Sequence, residues 1–199
     1  MPAYFDTGTL VPLYVREVFS PAVKCFMDSR SEFIPIHLFH CLEVENALRL
    51  KVFRGEMDGN RCSAVLDRVR LEINEGRTVL RPVDWIAALE EARRIGARVT
   101  SRAGCRTLDL LHVAIATQWE SDVFVTADDR QIKAARAAGL RTVDVRKLPP
   151  GDAPDGSPSG APVGAVRERR ARYGSTRKKQ NQGAKKSTKT GTSASRTSF

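Results

Sequence analysis

Apolar positions recur along residues 1–149 with two spacings, one of a strand and one of a helix, and the two alternate. Residues 3–6 are a short apolar run ending in Asp6. The Thr7-Gly8-Thr9 turn and helical spacing at Leu10, Leu13 and Tyr14 follow, which predicts strand, loop, helix. Ser20-Pro21 predicts an N-cap with proline at the first helical position, opening a helix to about Ser29. Residues 33–36 read as a second strand. A long amphipathic helix is predicted over 38–53, with Leu38, Cys41, Leu42, Val44, Ala47, Leu48 and Val52 on its buried side. Residues 58–75 carry an apolar stripe at Val65, Leu66, Val69 and Ile73 and stop at Gly76. Residues 78–83 read as extended, and Asp84 caps a helix through the Ala- and Glu-rich segment. The nearly all-apolar run 108–119 predicts a buried helix. A strand at 123–126, a helix capped by Asp128 or Asp129 and ended by Gly139, and a last strand at 141–145 complete the pattern.

Strands that alternate with helices imply an α/β fold with a parallel sheet covered on both faces. Ligands of such sheets sit beyond the carboxyl ends of the strands. Asp6 and Asp128 both fall at that edge.

Composition divides the chain. From residue 150 onward there are 11 basic residues against 3 acidic ones, much Gly, Ser, Thr and Pro, and almost no large apolar side chain. Such a segment buries too little to offset the entropy of ordering, so a domain at 1–149 and a disordered basic tail at 150–199 are expected. Most of the formal charge of +10 therefore belongs to the tail and says little about the folded surface. Cys25, Cys41, Cys62 and Cys105 are scattered, without a Cys-x-x-Cys pair, which predicts reduced, buried thiols. The N-terminus runs straight into a strand, and no long uncharged apolar stretch occurs. A soluble cytoplasmic protein with no membrane partner is expected.

The candidate chemistry lies in four acids, Asp6, Glu43, Asp109 and Asp128. Each has a plain alternative. Asp6 suits a cap or turn. Its Asp-Thr-Gly-Thr context also spells half of an aspartic-protease dyad, but that chemistry needs two such carboxylates in an all-β scaffold. Glu43 alone reads as a solvated helix acid, and periodicity does not rank it above Glu45. Asp109 precedes the apolar run from Leu110 to Ala116, so it starts beside the interior, where an unpaired carboxylate is costly. Asp128 reads as a helix cap, in competition with Asp129. His112 is one turn from Asp109 and within reach of it, although a buried, satisfied histidine is the commoner case. His37 and His40 are too few for a metal site. Four converging carboxylates, in contrast, would bind a hard divalent cation and activate water for phosphodiester cleavage.

In order and spacing from residue 3 to about residue 146, four motifs match one family. They are Tyr4-Phe5-Asp6-Thr7, Leu42-Glu43-Val44-x-Asn46-Ala47-Leu48, Arg106-Thr107-Leu108-Asp109-Leu110-Leu111-His112-Val113-Ala114 and Phe124-Val125-Thr126-Ala127-Asp128-x-Arg130-Gln131. The chain resembles the PIN-domain ribonucleases, and among them the VapC-type toxins of bacterial toxin-antitoxin modules. The resemblance implies a three-layer α/β/α sandwich with a central parallel sheet and a homodimer. It implies an Mg²⁺- or Mn²⁺-dependent endoribonuclease, an RNA substrate and a cognate antitoxin. It places the metal-site acids at Asp6, Glu43, Asp109 and Asp128, with Thr126 as a supporting hydroxyl. Gly8-Thr9 departs from the usual Ser-Ala after the first Asp, and the tail lies outside the family pattern. Two rivals remain. A non-cleaving RNA-binding module of the same fold is disfavoured because a bare carboxylate cluster repels phosphate. A phosphoacceptor Asp6 lacks the neighbouring lysine and second acid that such a site needs.

Overall fold

In the computed structural model the short apolar runs are strands and the periodic segments between them helices. The order is β1 (Tyr4–Phe5), α1 (Thr7–Tyr14), α2 (Ser20–Asp28), β2 (Ile34–Ile36), α3 (Leu38–Phe53), α4 (Gly59–Asn74), β3 (Thr78–Leu80), α5 (Trp85–Ala103), α6 (Thr107–Gln118), β4 (Val123–Thr126), α7 (Asp129–Ala137) and β5 (Arg141–Asp144). The structure describes residues 2–30 and 33–149, so the expected tail lies outside the described residues.

All strand pairs are parallel. They form two hydrogen-bonded ladders, β1-β4-β5 and β2-β3, rather than one continuous sheet. Proline accounts for the break. Ile34 N–H and the Ile36 carbonyl are both used on the β3 side, so the intervening Pro35 turns to the other edge, where it has no N–H to offer a strand.

The three layers follow from alternation along the strands. Tyr4 and Phe124 point into a core formed with α5, α6 and α7. Phe5, Val123 and Val125 point to the opposite face and pack with α1, α3 and α4. A two-residue period on a doubly covered sheet requires this partition.

Local signals set most element ends. Asp58 and Asp84 cap α4 and α5 with their carboxylates, and Gly104 ends α5 with φ +67°, a left-handed conformation that costs a glycine little. Ser20 is not the predicted cap. Phe19 occupies that position, and Ser20 Oγ instead accepts from Glu17 N–H and donates to the Pro12 and Val15 carbonyls, tying α2 to the end of α1.

The predicted buried side of α3 is partly wrong. Leu38 and Leu42 are 66% and 62% exposed, whereas His40, Val44 and Leu48 are buried. The helix turns its histidine inward because neighbouring rings receive it there. All four cysteines are free, with Cys62 and Cys105 buried as expected and Cys25 exposed. Among the described residues no helix is long and apolar enough to cross a membrane.

Candidate active site

Asp6 leaves the end of β1 and caps α1. Its Oδ1 accepts from Thr9 N–H at 2.8 Å, and its Oδ2 accepts from Thr126 Oγ1 at 2.7 Å. Thr126 closes β4, the neighbouring strand, and its hydroxyl also accepts Asp128 N–H at 3.0 Å. The two strand ends are thereby joined through one hydroxyl. Thr9 contributes a second tie, since its Oγ1 donates to the carbonyls of Asp6 and Val125. A Cβ at Gly8 would lie 3.5 Å from the Asp6 carboxylate, an ordinary contact, so Gly8 in place of a larger residue does not alter the site's shape.

Asp109 stands in the first turn of α6. Its Oδ2 accepts from Arg106 N–H at 2.9 Å, and its Oδ1 accepts from Gln131 Nε2 of α7 at 3.3 Å. Glu43 projects from the second turn of α3. Its Oε2 accepts from Thr7 Oγ1 at 2.5 Å and from His112 Nε2 at 2.9 Å.

Asp6, Glu43 and Asp109 line one cavity of about 490 Å³, together with Thr7, Gly8, Arg106, His112 and Gln131. Asp128 is not in its lining. It stands at the rim, where Oδ1 caps α7 by accepting from Arg130 N–H and Gln131 N–H, and Oδ2 lies 3.7 Å from Arg106 Nη2. Arg106 also reaches Asp109 at 3.4 Å, with most of its side chain exposed across the mouth. The competing acids are engaged elsewhere: Glu45 pairs with Arg49, and Asp129 with Arg146.

Asp6 and Asp109 are 5% and 6% exposed. Burial pushes the Asp6 carboxyl above its ordinary range, and the donors on Thr126 and Thr9 and the nearby His112 only partly oppose this. Clustered acids in such a place favour a hard cation with an oxygen shell, and the donor set suits Mg²⁺ or Mn²⁺ better than a softer metal.

Beneath Glu43 lies a group of buried rings. Tyr4 Oη is 2.8 Å from His37 Nε2 and 2.8 Å from His112 Nδ1, and the His37 and His40 rings stack with centroids 3.7 Å apart. Burial, and after it the neighbouring His112, lowers His37 to about 3, and burial, and after it the neighbouring His37 and His112, holds His40 well below its usual value. Burial and then the Glu43 and Asp6 charges raise Tyr4 well above the usual phenol. His112 therefore pairs with Glu43 and Tyr4, not with Asp109. Motif reading assigned no role to Tyr4, Thr7, Arg106 or Gln131. The adjacency of Thr7 to Asp6 and of Arg106 to the start of α6 was a usable signal. Nothing in the sequence linked Tyr4 to Glu43.

No protein-family model matches the chain, and no curated protein matches it by sequence. The crystal structure of FitAcB from Neisseria gonorrhoeae is similar over 74% of this chain and 100% of its own, with a TM-score of 0.55 and 17% sequence identity. The likeness is one of fold.

Proposed function

We propose that the chain is a divalent-metal-dependent endoribonuclease, acting as the toxin of a toxin-antitoxin pair. The observation that carries this reading is the convergence of Asp6, Glu43 and Asp109 on one cavity at the carboxyl ends of parallel strands, with Asp128 at its rim. The shared fold with FitAcB and the motifs that resemble VapC-type toxins support it.

Asp6, Glu43 and Asp109 would hold the cation, with Asp128 reaching in from the rim. Bound there, Mg²⁺ or Mn²⁺ supplies charge for the phosphoryl oxygens and acidity to a water. The protein's own part is positioning. Thr9 and Thr126 fix the Asp6 carboxylate, Gln131 and the Arg106 N–H fix Asp109, and Thr7 and His112 fix Glu43. The exposed Arg106 guanidinium is placed to draw a phosphate toward the mouth. A cognate antitoxin would cover this mouth, and the tail at 150–199 would add affinity for RNA without reading its sequence, because Lys and Arg contacts to phosphate are indifferent to the bases. A non-cleaving RNA-binding role is the weaker reading, since unscreened carboxylates repel the ligand it would hold.

The test is incubation of the purified full chain with total RNA, with and without Mg²⁺, and mapping of new ends. Asp6→Asn and Asp109→Asn are expected to fold and to reduce cleavage to background, while Glu45→Gln cuts normally. Metal-dependent cleavage by Asp109→Asn at the wild-type rate would refute the assignment.

A further inference from the structure

The buried rings beneath Glu43 form a hydrogen-bond chain whose direction is set by one fixed donor. The backbone N–H of His40 donates to His37 Nδ1 at 3.0 Å, so Nδ1 carries no proton and the imidazole hydrogen sits on Nε2. That hydrogen points at Tyr4 Oη, 2.8 Å away. The Tyr4 hydroxyl, already an acceptor, then gives its own proton to Nδ1 of a neutral His112, also at 2.8 Å. With Nδ1 accepting, His112 keeps its hydrogen on Nε2, aimed at Glu43 Oε2 at 2.9 Å. Thr7 Oγ1 donates to the same oxygen. Both donors fall on Oε2, which leaves Oε1 for the cavity that Glu43 shares with Asp6 and Asp109.

The same protons bear on a second reading. Ring nitrogens of His37, His40 and His112 lie within 4.8 Å of one another, a spacing that invites a metal. His37 Nε2, however, bears hydrogen and has no lone pair to give, so His37 and His112 belong to a relay of donors through Tyr4 and not to a ligand set, while the His40 ring, whose nitrogens have no hydrogen-bond partner among the described residues, stands outside the relay. Tyr4, His37 and His112 are at most 3% exposed, and burying that many polar atoms is costly unless their hydrogen bonds are made. Apolar side chains of similar volume would fill the space at less cost, so the polar chain calls for a reason other than stability.

We propose that Tyr4 and His112 are positioning residues for Glu43, fixing the rotation of its carboxylate so that Oε1 faces a divalent cation in the acidic cavity. The proposal rests on the reading of that cavity as a metal site. Neither residue needs to touch RNA, and their effect is expected on metal affinity first. Outer hydrogen-bond partners of metal ligands typically carry about 10- to 100-fold in affinity or activity.

The experiment is a double-mutant cycle on the full chain. Mn²⁺ binding is measured from the electron paramagnetic resonance signal of the free ion, for wild type, Tyr4→Phe, Glu43→Gln and the double variant, with thermal melts alongside. Tyr4→Phe removes one oxygen, stays folded and is expected to weaken Mn²⁺ binding by about tenfold. In the Glu43→Gln background the same change is expected to add nothing, because it acts only through the carboxylate. His112→Leu breaks the chain independently and is expected to match Tyr4→Phe. His112→Gln, which keeps an amide N–H near the place of Nε2–H, is expected to restore most of the affinity. Wild-type affinity in Tyr4→Phe, or an equal loss in both backgrounds, overturns the proposal. A wild-type chain that binds Mn²⁺ but cuts no RNA overturns the nuclease reading alone, since the cycle is read without cleavage. No Mn²⁺ binding by the wild type overturns both.

Discussion

The histidines that burial keeps neutral make stability depend on pH in a definite direction. His37 titrates near 3 in the folded protein and His40 also falls well below its ordinary 6.5, both chiefly through burial. In the unfolded chain each takes up a proton near pH 6.5, while the folded form resists. The stability is therefore fully present above about pH 6.5 and is lost progressively as pH falls toward the folded values. For His37 alone the loss between pH 7 and 5.5 is about 1 kcal/mol. Asp6 acts in the opposite sense, because burial raises its carboxyl and acidification relieves the cost of its charge. The contribution of the two histidines is expected to outweigh that of Asp6, so calorimetry of the metal-free protein is expected to show a lower melting temperature at pH 5.5 than at pH 7. An unchanged or rising melt over that interval would contradict the assignment of neutral, buried imidazoles.

At the scale of elements, helix ends do double duty. Asp6 caps α1 and Asp128 caps α7, yet both also stand at or beside the acidic cavity. The two roles separate by substitution at Asp128. Asn caps a helix about as well as Asp, whereas Ala costs roughly 0.5–2 kcal/mol at such a position. Asp128→Asn is thus expected to melt close to wild type and to cut RNA poorly, and Asp128→Ala to lose both stability and activity. Full activity in a stable Asp128→Asn protein would leave Asp128 as a cap and nothing more. Its rim position, outside the cavity lining, makes this the most informative of the four acids to test. The sequence left the cap open between Asp128 and Asp129. The structure assigns it to Asp128, whose Oδ1 accepts from Arg130 N–H and Gln131 N–H, while the Asp129 carboxylate pairs with Arg146 just beyond β5.

For the whole molecule, the exposed apolar side chains of α3 and α5 bear on assembly. Leu38 and Leu42 share one exposed face of α3, and Ile86 and Leu89 one exposed face of α5. Leu38 and Trp85 line the same cleft, so the amino-terminal ends of α3 and α5 meet. We propose these exposed apolar side chains as the contact face of the homodimer that the resemblance implies. Sedimentation of the wild type is expected to give a dimer, and Leu38→Lys with Leu42→Lys a folded monomer. A monomeric wild type at micromolar concentration would remove the dimer from the reading.

The sequence by itself determined the elements and their order, because spacing, caps and helix-ending glycines are local properties. Asp58, Asp84, Gly76, Gly139 and the buried run of α6 stand where local rules put them. It also nominated Asp6, Glu43, Asp109 and Asp128. Which acids share a cavity was decided by tertiary structure, since the parallel ladder β1-β4 alone brings Asp6 to Thr126, 120 residues away. The same holds for α3. Its stripe fits two inward faces about equally well, and the choice of Glu43 over Glu45 and of His40 over Leu42 depends on rings supplied by β1 and α6. Helical spacing says which residues share a side, and only the packed partner says which side is in.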